Sequence, residues 1–202
     1  MEHPLLVGIA GATCSGKTTI EHGVQRELGD LVTVLPFDDM CYKLTELEDP
    51  NIEDWEQPYL YRWDDYYQYL CTLKKGQSVI AVMNSWENYK EGISVQELVP
   101  RPVVLSVGYL ALHDERVRDL FDIKLFVEVP DETIVQRRYE RDNQWATESG
   151  YDAMGYIIEK ILPAHHTFVV PQKGYVDEVI DGLQEKPVIL NRVLEIIQSN
   201  LS

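Results

Sequence analysis

The feature that most constrains the fold is the octapeptide Gly-Ala-Thr-Cys-Ser-Gly-Lys-Thr at residues 11–18. It follows a continuous apolar run at residues 5–10, which predicts a strand covered on both faces in a parallel sheet. It leads into residues 17–28, whose apolar spacing predicts a helix. In this strand, turn and helix context the pattern G-x-x-x-x-G-K-[ST] binds phosphate, so we interpret the segment as a phosphate-binding loop, or P-loop.

The chemistry of this loop favours a nucleoside triphosphate. Its glycines let successive backbone N–H groups face a phosphate, and the start of the helix adds a partial positive charge. The amine of Lys17 reaches the outer phosphates, and the hydroxyl of Thr18 is placed for Mg2+. A chance glycine-rich turn is the alternative. The residues expected to hold the nucleotide are Gly11, Ala12, Thr13, Cys14, Ser15, Gly16, Lys17, Thr18 and Thr19.

Apolar runs separated by segments with helical spacing recur along the whole chain. This alternation predicts an α/β fold of P-loop NTPase type, with three α/β/α layers, a central parallel sheet and a small lid. We expect residues 1–202 to form a single domain. Residues 36–62 and 143–153 lack a regular pattern, which is typical of functional loops, and the second is the predicted lid. The further predicted strands are 31–35, 79–82, 103–107, 123–129 and 176–180, and the further helices 64–74, 131–141 and 187–201.

The charge balance limits the classes of partner. The 202 residues include 18 Lys and Arg against 34 Asp and Glu, a net charge of −16, which argues against nucleic acid and membrane surfaces as partners. The cysteines Cys14, Cys41 and Cys71 form no C-x-x-C pair, so a reducing, cytoplasmic location fits best. The first apolar run is too short for a signal peptide or a membrane span. A small-molecule partner is expected, and a homo-oligomer stays open.

Two carboxylates, Asp38 and Asp39, follow the second predicted strand. Functional groups of parallel sheets lie at the carboxyl ends of strands, and sequential strands are often neighbours, so we expect this pair close to the P-loop. Either aspartate could act as a general base for a hydroxyl nucleophile or hold Mg2+. An acidic turn or a helix cap is the alternative.

Helical geometry leads to different expectations for two pairs of polar side chains. Arg138 and Arg141 lie three residues apart in the predicted helix 131–141, so both can clamp a triphosphate from one helical face. Arginines that face solvent are the alternative. By contrast, His165 and His166 are adjacent and cannot share one helical face as paired metal ligands would, so we interpret them as structural.

Four further motifs resemble those of a known family. Residues 103–112 are similar to V-V-L-x-E-G-[IF]-L-x-[FL], and residues 118–127 to R-D-L-x-D-x-K-[IL]-F-V. Residues 131–142 resemble D-x-x-x-x-x-R-R-x-x-R-D, and residues 171–177 resemble P-T-K-x-Y-A-D. With the P-loop, the chain resembles the uridine kinase and nicotinamide riboside kinase family of P-loop nucleoside kinases over nearly its whole length. The resemblance implies an ATP- and Mg2+-dependent kinase that phosphorylates the 5′-hydroxyl of a ribonucleoside.

Two motifs nearer the P-loop imply residue roles. Residues 38–43 are similar to the family's D-x-x-Y-K stretch, whose leading aspartate accepts the hydroxyl proton; counting from the strand selects Asp38, and anchoring on the Tyr-Lys pair selects Asp39. The pentapeptide Asp-Trp-Glu-Gln-Pro resembles N-[FYW]-D-H-P, which implies that Glu56 binds the ribose hydroxyls and Trp55 helps to form the nucleoside site. A Trp55 packed on the core as a lid anchor is the alternative. The resemblance thus assigns catalysis to Lys17, Asp38, Arg138 and Arg141, substrate binding to Asp38, Trp55, Glu56 and Arg138, and Mg2+ to Thr18 and Asp38.

Three departures from the family pattern keep other functions open. Val107 stands where the family has a glutamate that helps to organise Mg2+, and a valine cannot hold a cation. Residues 149–152 lack the R-G-R of the uridine kinases and resemble the nicotinamide riboside kinases more, while residues 82–89 lack the histidine of the Y-x-F-x-x-H element. Uridine, cytidine and nicotinamide riboside are the leading acceptors. The alternatives are a nucleotide-binding regulator that has lost the chemistry and a kinase of another small alcohol, such as pantothenate or a sugar phosphate.

Overall fold

The computed structural model describes residues 3–47, 51–84 and 95–201. Its strands are β1 (Leu5–Gly11), β2 (Val32–Val34), β3 (Val79–Val82), β4 (Val95–Leu98), β5 (Val103–Val107), β6 (Ile123–Glu128) and β7 (Glu178–Asp181). Five of them form a parallel sheet in the order β2-β5-β1-β6-β7, and β3 and β4 form a separate antiparallel pair. The predicted α/β class with a central parallel sheet is confirmed.

Helices cover both faces of this sheet. They are α1 (Lys17–Leu28), α2 (Trp63–Lys74), α3 (Glu115–Arg118), α4 (Asp131–Ser149), α5 (Ala153–Tyr156), α6 (Leu162–Ala164) and α7 (Lys186–Asn200). Val7 and Ile9 of β1 belong to the core cluster of α1 and α7, whereas Leu6 and Ala10 belong to that of α2 and α3. Alternate side chains of one strand therefore enter two cores, which gives the expected three layers. Among the described helices none is both long and apolar enough to cross a bilayer.

The neighbour of β1 differs from the expected one. The second strand was expected next to β1, but β5 lies between them, since Val103 pairs with Leu5 on one side and with Val32 on the other. The consequence for the site is small, because parallel strands still bring their carboxyl ends to one edge of the sheet.

Residues 79–82 form a strand, but the expectation that it belongs to the parallel sheet is wrong. β3 pairs antiparallel with β4, with Val79 opposite Leu98. Ile80 is 60% exposed while the next residue, Ala81, is fully buried, the alternation of a strand covered on one face. An apolar run does not by itself distinguish this case from a fully covered strand.

The predicted irregular segment 143–153 is largely helical. Helix α4 continues to Ser149, because residues 142–149 contain no glycine or proline that would stop it. It ends at Gly150, whose φ of +74° is the left-handed conformation common after a helix. The predicted last helix, 187–201, is confirmed as α7 with a shift of one residue.

Candidate active site

The P-loop connects β1 to α1 and owes its shape to two glycines. A Cβ on Gly11 would lie 2.4 Å from the carbonyl oxygen of Val127 in β6, so a larger residue does not fit there. Gly16 has a φ of +102° at the start of α1, which glycine adopts without steric cost. Cys14, with a φ of +57°, is the one non-glycine residue in this region of φ within the described ranges. The loop therefore has the strong local curl that a phosphate cradle requires.

Lys17 folds back over this loop. It is buried, and its Nζ donates to the carbonyl oxygens of Gly11 at 2.8 Å and Ala12 at 2.6 Å. Burial lowers the pKa of its amine to about 8, although the nearby charge of Asp38 acts in the opposite direction. These two neutral acceptors can be exchanged for phosphate oxygens, to which an ammonium group binds more strongly.

A cavity of about 720 Å³, lined by both acidic and basic side chains, opens beside Lys17 at the carboxyl ends of β2 and β5. We call it the acceptor cavity. It brings together predicted site residues from three separate segments of the chain and adds residues that the sequence did not place there. Its wall includes Lys17, Thr18, Glu21, Asp38, Asp39, Val107 and Arg141.

Aromatic packing positions the turn Phe37–Met40, which carries both aspartates. The ring of Phe37 stacks on Tyr61 with centroids 4.6 Å apart and meets Tyr66 edge-on at 5.3 Å. A Cβ on Gly108 would lie only 2.4 Å from the Cβ of Phe37, so this glycine allows the turn to approach the end of β5. Within the turn Asp38 is exposed, whereas Asp39 is 1% exposed.

Glu56 is buried among charges of both signs. Burial raises the pKa of its carboxyl, and the charges of Asp54 and Asp38 act in the same direction, whereas Arg138 and Arg141 lower it. The charges of the predicted base and of the predicted clamp therefore both act on the carboxyl of the predicted ribose ligand.

Trp55, the predicted aromatic of the nucleoside site, is 40% exposed. Its backbone N–H donates to the hydroxyl of Tyr156 in α5 at 2.9 Å. A ring with this exposure is not packed in a core, which argues against the lid-anchor interpretation. Tyr109 is a residue that the sequence analysis missed: burial and the charge of Glu56 raise the pKa of its phenol. The only signal was a tyrosine where the motif has Ile or Phe.

Arg138 and Arg141 converge on Asp142. Nε of Arg138 donates to Oδ2 at 2.5 Å, and Nε of Arg141 donates to Oδ1 at 2.9 Å. The Asp142 side chain is 5% exposed, against 16% for Arg138 and 54% for Arg141. The alternative of two solvent-facing arginines does not hold for Arg138, which a buried carboxylate orients.

Two contacts join α4 to the P-loop. Nη1 of Arg138 donates to Oγ1 of Thr13 at 3.1 Å, and Nη1 of Arg137 donates to the carbonyl oxygen of Cys14 at 3.2 Å. The sequence analysis gave no role to Arg137 or Asp142. The four-residue spacing of Arg138 and Asp142 was the available signal, since such pairs meet on a helix surface.

A second cavity, of about 820 Å³, also borders the P-loop. Its wall includes Cys14, Ser15 and Thr19 from the loop and helix start, together with Lys186 and Pro187 from α7. Residues of the loop and of the start of α1 therefore border both cavities, whereas Trp55, Glu56 and Arg138 are not among the residues that line either of them.

Comparison with known proteins identifies the family. The sequence profile of the Phosphoribulokinase / Uridine kinase family matches residues 6–188. The chain belongs to this family. It is 28% identical over 202 residues to a uridine kinase of Halobacterium salinarum, covering 97% of this chain and 88% of that protein. It is 29% identical over 192 residues to a uridine kinase of Halalkalibacterium halodurans, covering 93% and 91%.

A solved structure supports the fold of this family member. Shikimate kinase from Acinetobacter baumannii, in complex with shikimate, matches with a TM-score of 0.57 and 17% identity over 98% of this chain and 96% of that chain. Family membership confirms the resemblance stated from the motifs and identifies the chain as an ATP-dependent phosphotransferase of P-loop kinase fold. Residues 85–89 of the predicted base-pocket element lie outside the described residues.

Proposed function

We propose that this kinase transfers the terminal phosphoryl group of ATP to the 5′-hydroxyl of a ribonucleoside, with uridine, cytidine and nicotinamide riboside as leading acceptors. The observation that carries the proposal is the position of Asp38, which lines one cavity together with Lys17, Thr18 and Arg141. Its charge also acts on the pKa of both Lys17 and Glu56. A ribose bound to Glu56 would present its hydroxyl to Asp38 beside the terminal phosphate.

In this proposal the P-loop residues 11–19 hold ATP through backbone N–H groups and the Lys17 amine. Mg2+ would be held by Thr18 and Asp38. The acceptor cavity fits such an ion, because Thr18 and Asp38 both line it and their side chains offer oxygen atoms, the ligands that Mg2+ prefers. When bound, the ion would supply positive charge that neutralises the phosphate groups.

The chemical step then follows from these positions. The acceptor hydroxyl oxygen attacks the terminal phosphorus, the bond to the bridging oxygen breaks, and ADP leaves with that electron pair. Asp38 takes the proton of the hydroxyl, while Arg138 and Arg141 donate to the oxygens of the transferring group. Glu56 accepts hydrogen bonds from the adjacent ribose hydroxyls, and the exposed ring of Trp55 offers a stacking surface to the base.

In this proposal Glu21 supplies a carboxylate near Mg2+, because Val107 stands where the family has a glutamate. Val107 is 4% exposed and lines the acceptor cavity. Glu21 lines the same cavity one helical turn after Thr18, so its carboxylate can accept from water bound to Mg2+. Glu21→Gln should raise the Mg2+ concentration needed for half-maximal rate, and adding Val107→Glu should reverse the change. If Glu21→Gln has a normal magnesium dependence, Glu21 has no such role.

A coupled ADP-release assay tests the main proposal. Wild-type protein with Mg-ATP is offered uridine, cytidine, adenosine and nicotinamide riboside separately, with Lys17→Ala as the blank. We expect one of these to stimulate ADP release. At saturating Mg-ATP, Asp38→Asn should lower kcat roughly 100- to 10,000-fold, as for loss of a general base. Asp39→Asn is the matched control; if it and not Asp38→Asn is inactive, the base is Asp39.

Two other functions have specific observations in their favour. The apolar Val107 in the acceptor cavity favours a nucleotide-binding regulator, which would bind ATP and release no ADP with any acceptor. The fold is shared with shikimate kinase, so a non-nucleoside alcohol is the other candidate. Pantothenate, fructose 6-phosphate and shikimate therefore belong in the same assay, and release with one of them alone would replace the ribonucleoside assignment.

We further propose that residues 1–202 work as a single kinase domain with a lid at about residues 143–153. The bond between Trp55 and Tyr156 supports this, since it ties the acceptor side to the helix that follows the lid. The homo-oligomer and the cytoplasmic location stay predictions from the sequence.

A further inference from the structure

Three potential metal ligands meet outside the acceptor cavity. Asp131 begins α4, and His165 and His166 begin a π-helical turn, His165–Val169. One ligand atom of each of the three residues lies within 4.8 Å of the other two. The adjacent histidines, expected not to share one helical face, thus bring their ligand atoms close together. A π-helical turn rotates less per residue than an α-helix, which keeps neighbouring side chains closer to one face.

The two exposed members of this cluster are joined by a hydrogen bond. Nε2 of His166 lies 2.8 Å from Oδ2 of Asp131, and both side chains are partly exposed, at 56% and 42%. A carboxylate and an imidazole in this arrangement can bind one cation in place of that proton.

The third member of the cluster, His165, is buried. His165 is 8% exposed, and its Nδ1 is buried with no hydrogen-bond partner among the described residues. A buried polar atom without a hydrogen-bond partner is destabilising.

We propose that Asp131, His165 and His166 form a binding site for one divalent transition-metal ion, with Zn2+ as the representative ion. Two imidazole nitrogens and one carboxylate oxygen form a ligand set that suits Zn2+ and leaves a position for water, whereas Mg2+ prefers oxygen alone. Tetrahedral Zn2+ needs ligand atoms about 3.3 Å apart. The separations, all within 4.8 Å, must therefore shrink by at most about 1.5 Å, which the partly exposed side chains of Asp131 and His166 can supply by rotation.

A metal ion bound at this site would connect two elements of the fold and so stabilise the folded state. The metal would link the first residue of α4 to the π-helical turn, and α4 carries Arg137 and Arg138, which contact the P-loop. Binding to the folded state alone stabilises it in proportion to metal occupancy. We expect Zn2+ to raise the Tm of the nucleotide-free protein, independently of which acceptor the kinase uses.

Metal binding to nucleotide-free protein, first treated with a chelator, tests this inference. Isothermal titration with ZnCl2 should give one equivalent per chain. His166→Ala should weaken binding by more than the roughly 10- to 100-fold that loss of a supporting partner costs, and Asp131→Asn should weaken it as well. His3→Ala is the matched control, because His3 is exposed and outside the cluster, and it should bind like wild type.

Several results would overturn the inference. Wild-type protein that takes up no Zn2+, or His166→Ala protein that binds it with wild-type affinity, would exclude the site. Cobalt provides a separate readout: bound Co2+ should show visible d–d bands without the near-ultraviolet thiolate band. A thiolate band would place the ion on one of the three cysteines instead. Melting curves without metal show whether each variant is folded.

Discussion

Replacing Asp142 by asparagine tests whether a buried carboxylate orients the arginines of α4. Asp142 accepts from Nε of Arg138 at 2.5 Å and from Nε of Arg141 at 2.9 Å. Asparagine keeps the size and one carbonyl acceptor but loses the charge and turns an N–H group toward one arginine. Two donors would then face each other in a site with little water.

The bond to Arg138 determines the size of the effect. That side chain is 16% exposed, against 54% for Arg141, so solvent screens the second pair much more. A buried hydrogen bond to a charged group contributes about 1.5–3 kcal/mol, and a half-exposed ion pair adds less than about 1 kcal/mol. We expect Asp142→Asn to lower the free energy of unfolding by about 2–3 kcal/mol, or roughly 4–12 °C in Tm for a domain of this size.

Urea unfolding followed by tryptophan fluorescence measures this loss. Asp30→Asn is the matched control, because the Asp30 side chain is 99% exposed and lies 3.9 Å from Arg101; it should change stability by less than about 0.5 kcal/mol. If the arginines bind phosphate, Asp142→Asn should also lower kcat/KM for ATP by about tenfold or more. Equal stability of the two variants would refute the buried-bond argument, and unchanged kinetics would refute the phosphate role.

Two further predictions concern the P-loop side of the site. Gly108→Ala should destabilise the protein by about 1–3 kcal/mol and lower activity, because its Cβ would displace Phe37 and with it Asp38; Gly174→Ala, with open space around it, is the control, and equal Tm values would contradict the prediction. Lys17 has a pKa of about 8 when folded against 10.5 when unfolded, so the unfolded state binds more protons between these values. The free energy of unfolding of the nucleotide-free protein should therefore rise from about pH 8 to 10.5 relative to that of Lys17→Met, and parallel pH curves for the two proteins would contradict this.

Local features could be predicted from the sequence with good precision. The strand, the P-loop and α1 follow one another within residues 5–28. There the apolar spacing predicts the strand and the helix, and two glycines predict the turn between them. The two aspartates at the end of β2 were also located correctly at the sheet edge, because strand direction alone decides which end carries them. These features need no knowledge of distant contacts.

Other features depended on pairing between distant segments. The insertion of β5 between β1 and β2 pairs Leu5 with Val103. A run of apolar residues does not indicate which strand it will pair with in the sheet. The same holds for β3, whose antiparallel partner β4 has mostly exposed residues and no strong pattern.

The sequence by itself determined that this chain folds around a P-loop and belongs among the kinases, because residue types at fixed short spacing carry that information. Only the tertiary structure decided how the charges are used. It buried Asp142 under Arg138, placed Glu21 and Val107 on the wall of one cavity, and brought His165 beside Asp131. The physical reason is that the effect of a charge depends on its burial and on partners far away in the chain, and both arise only when the segments pack together.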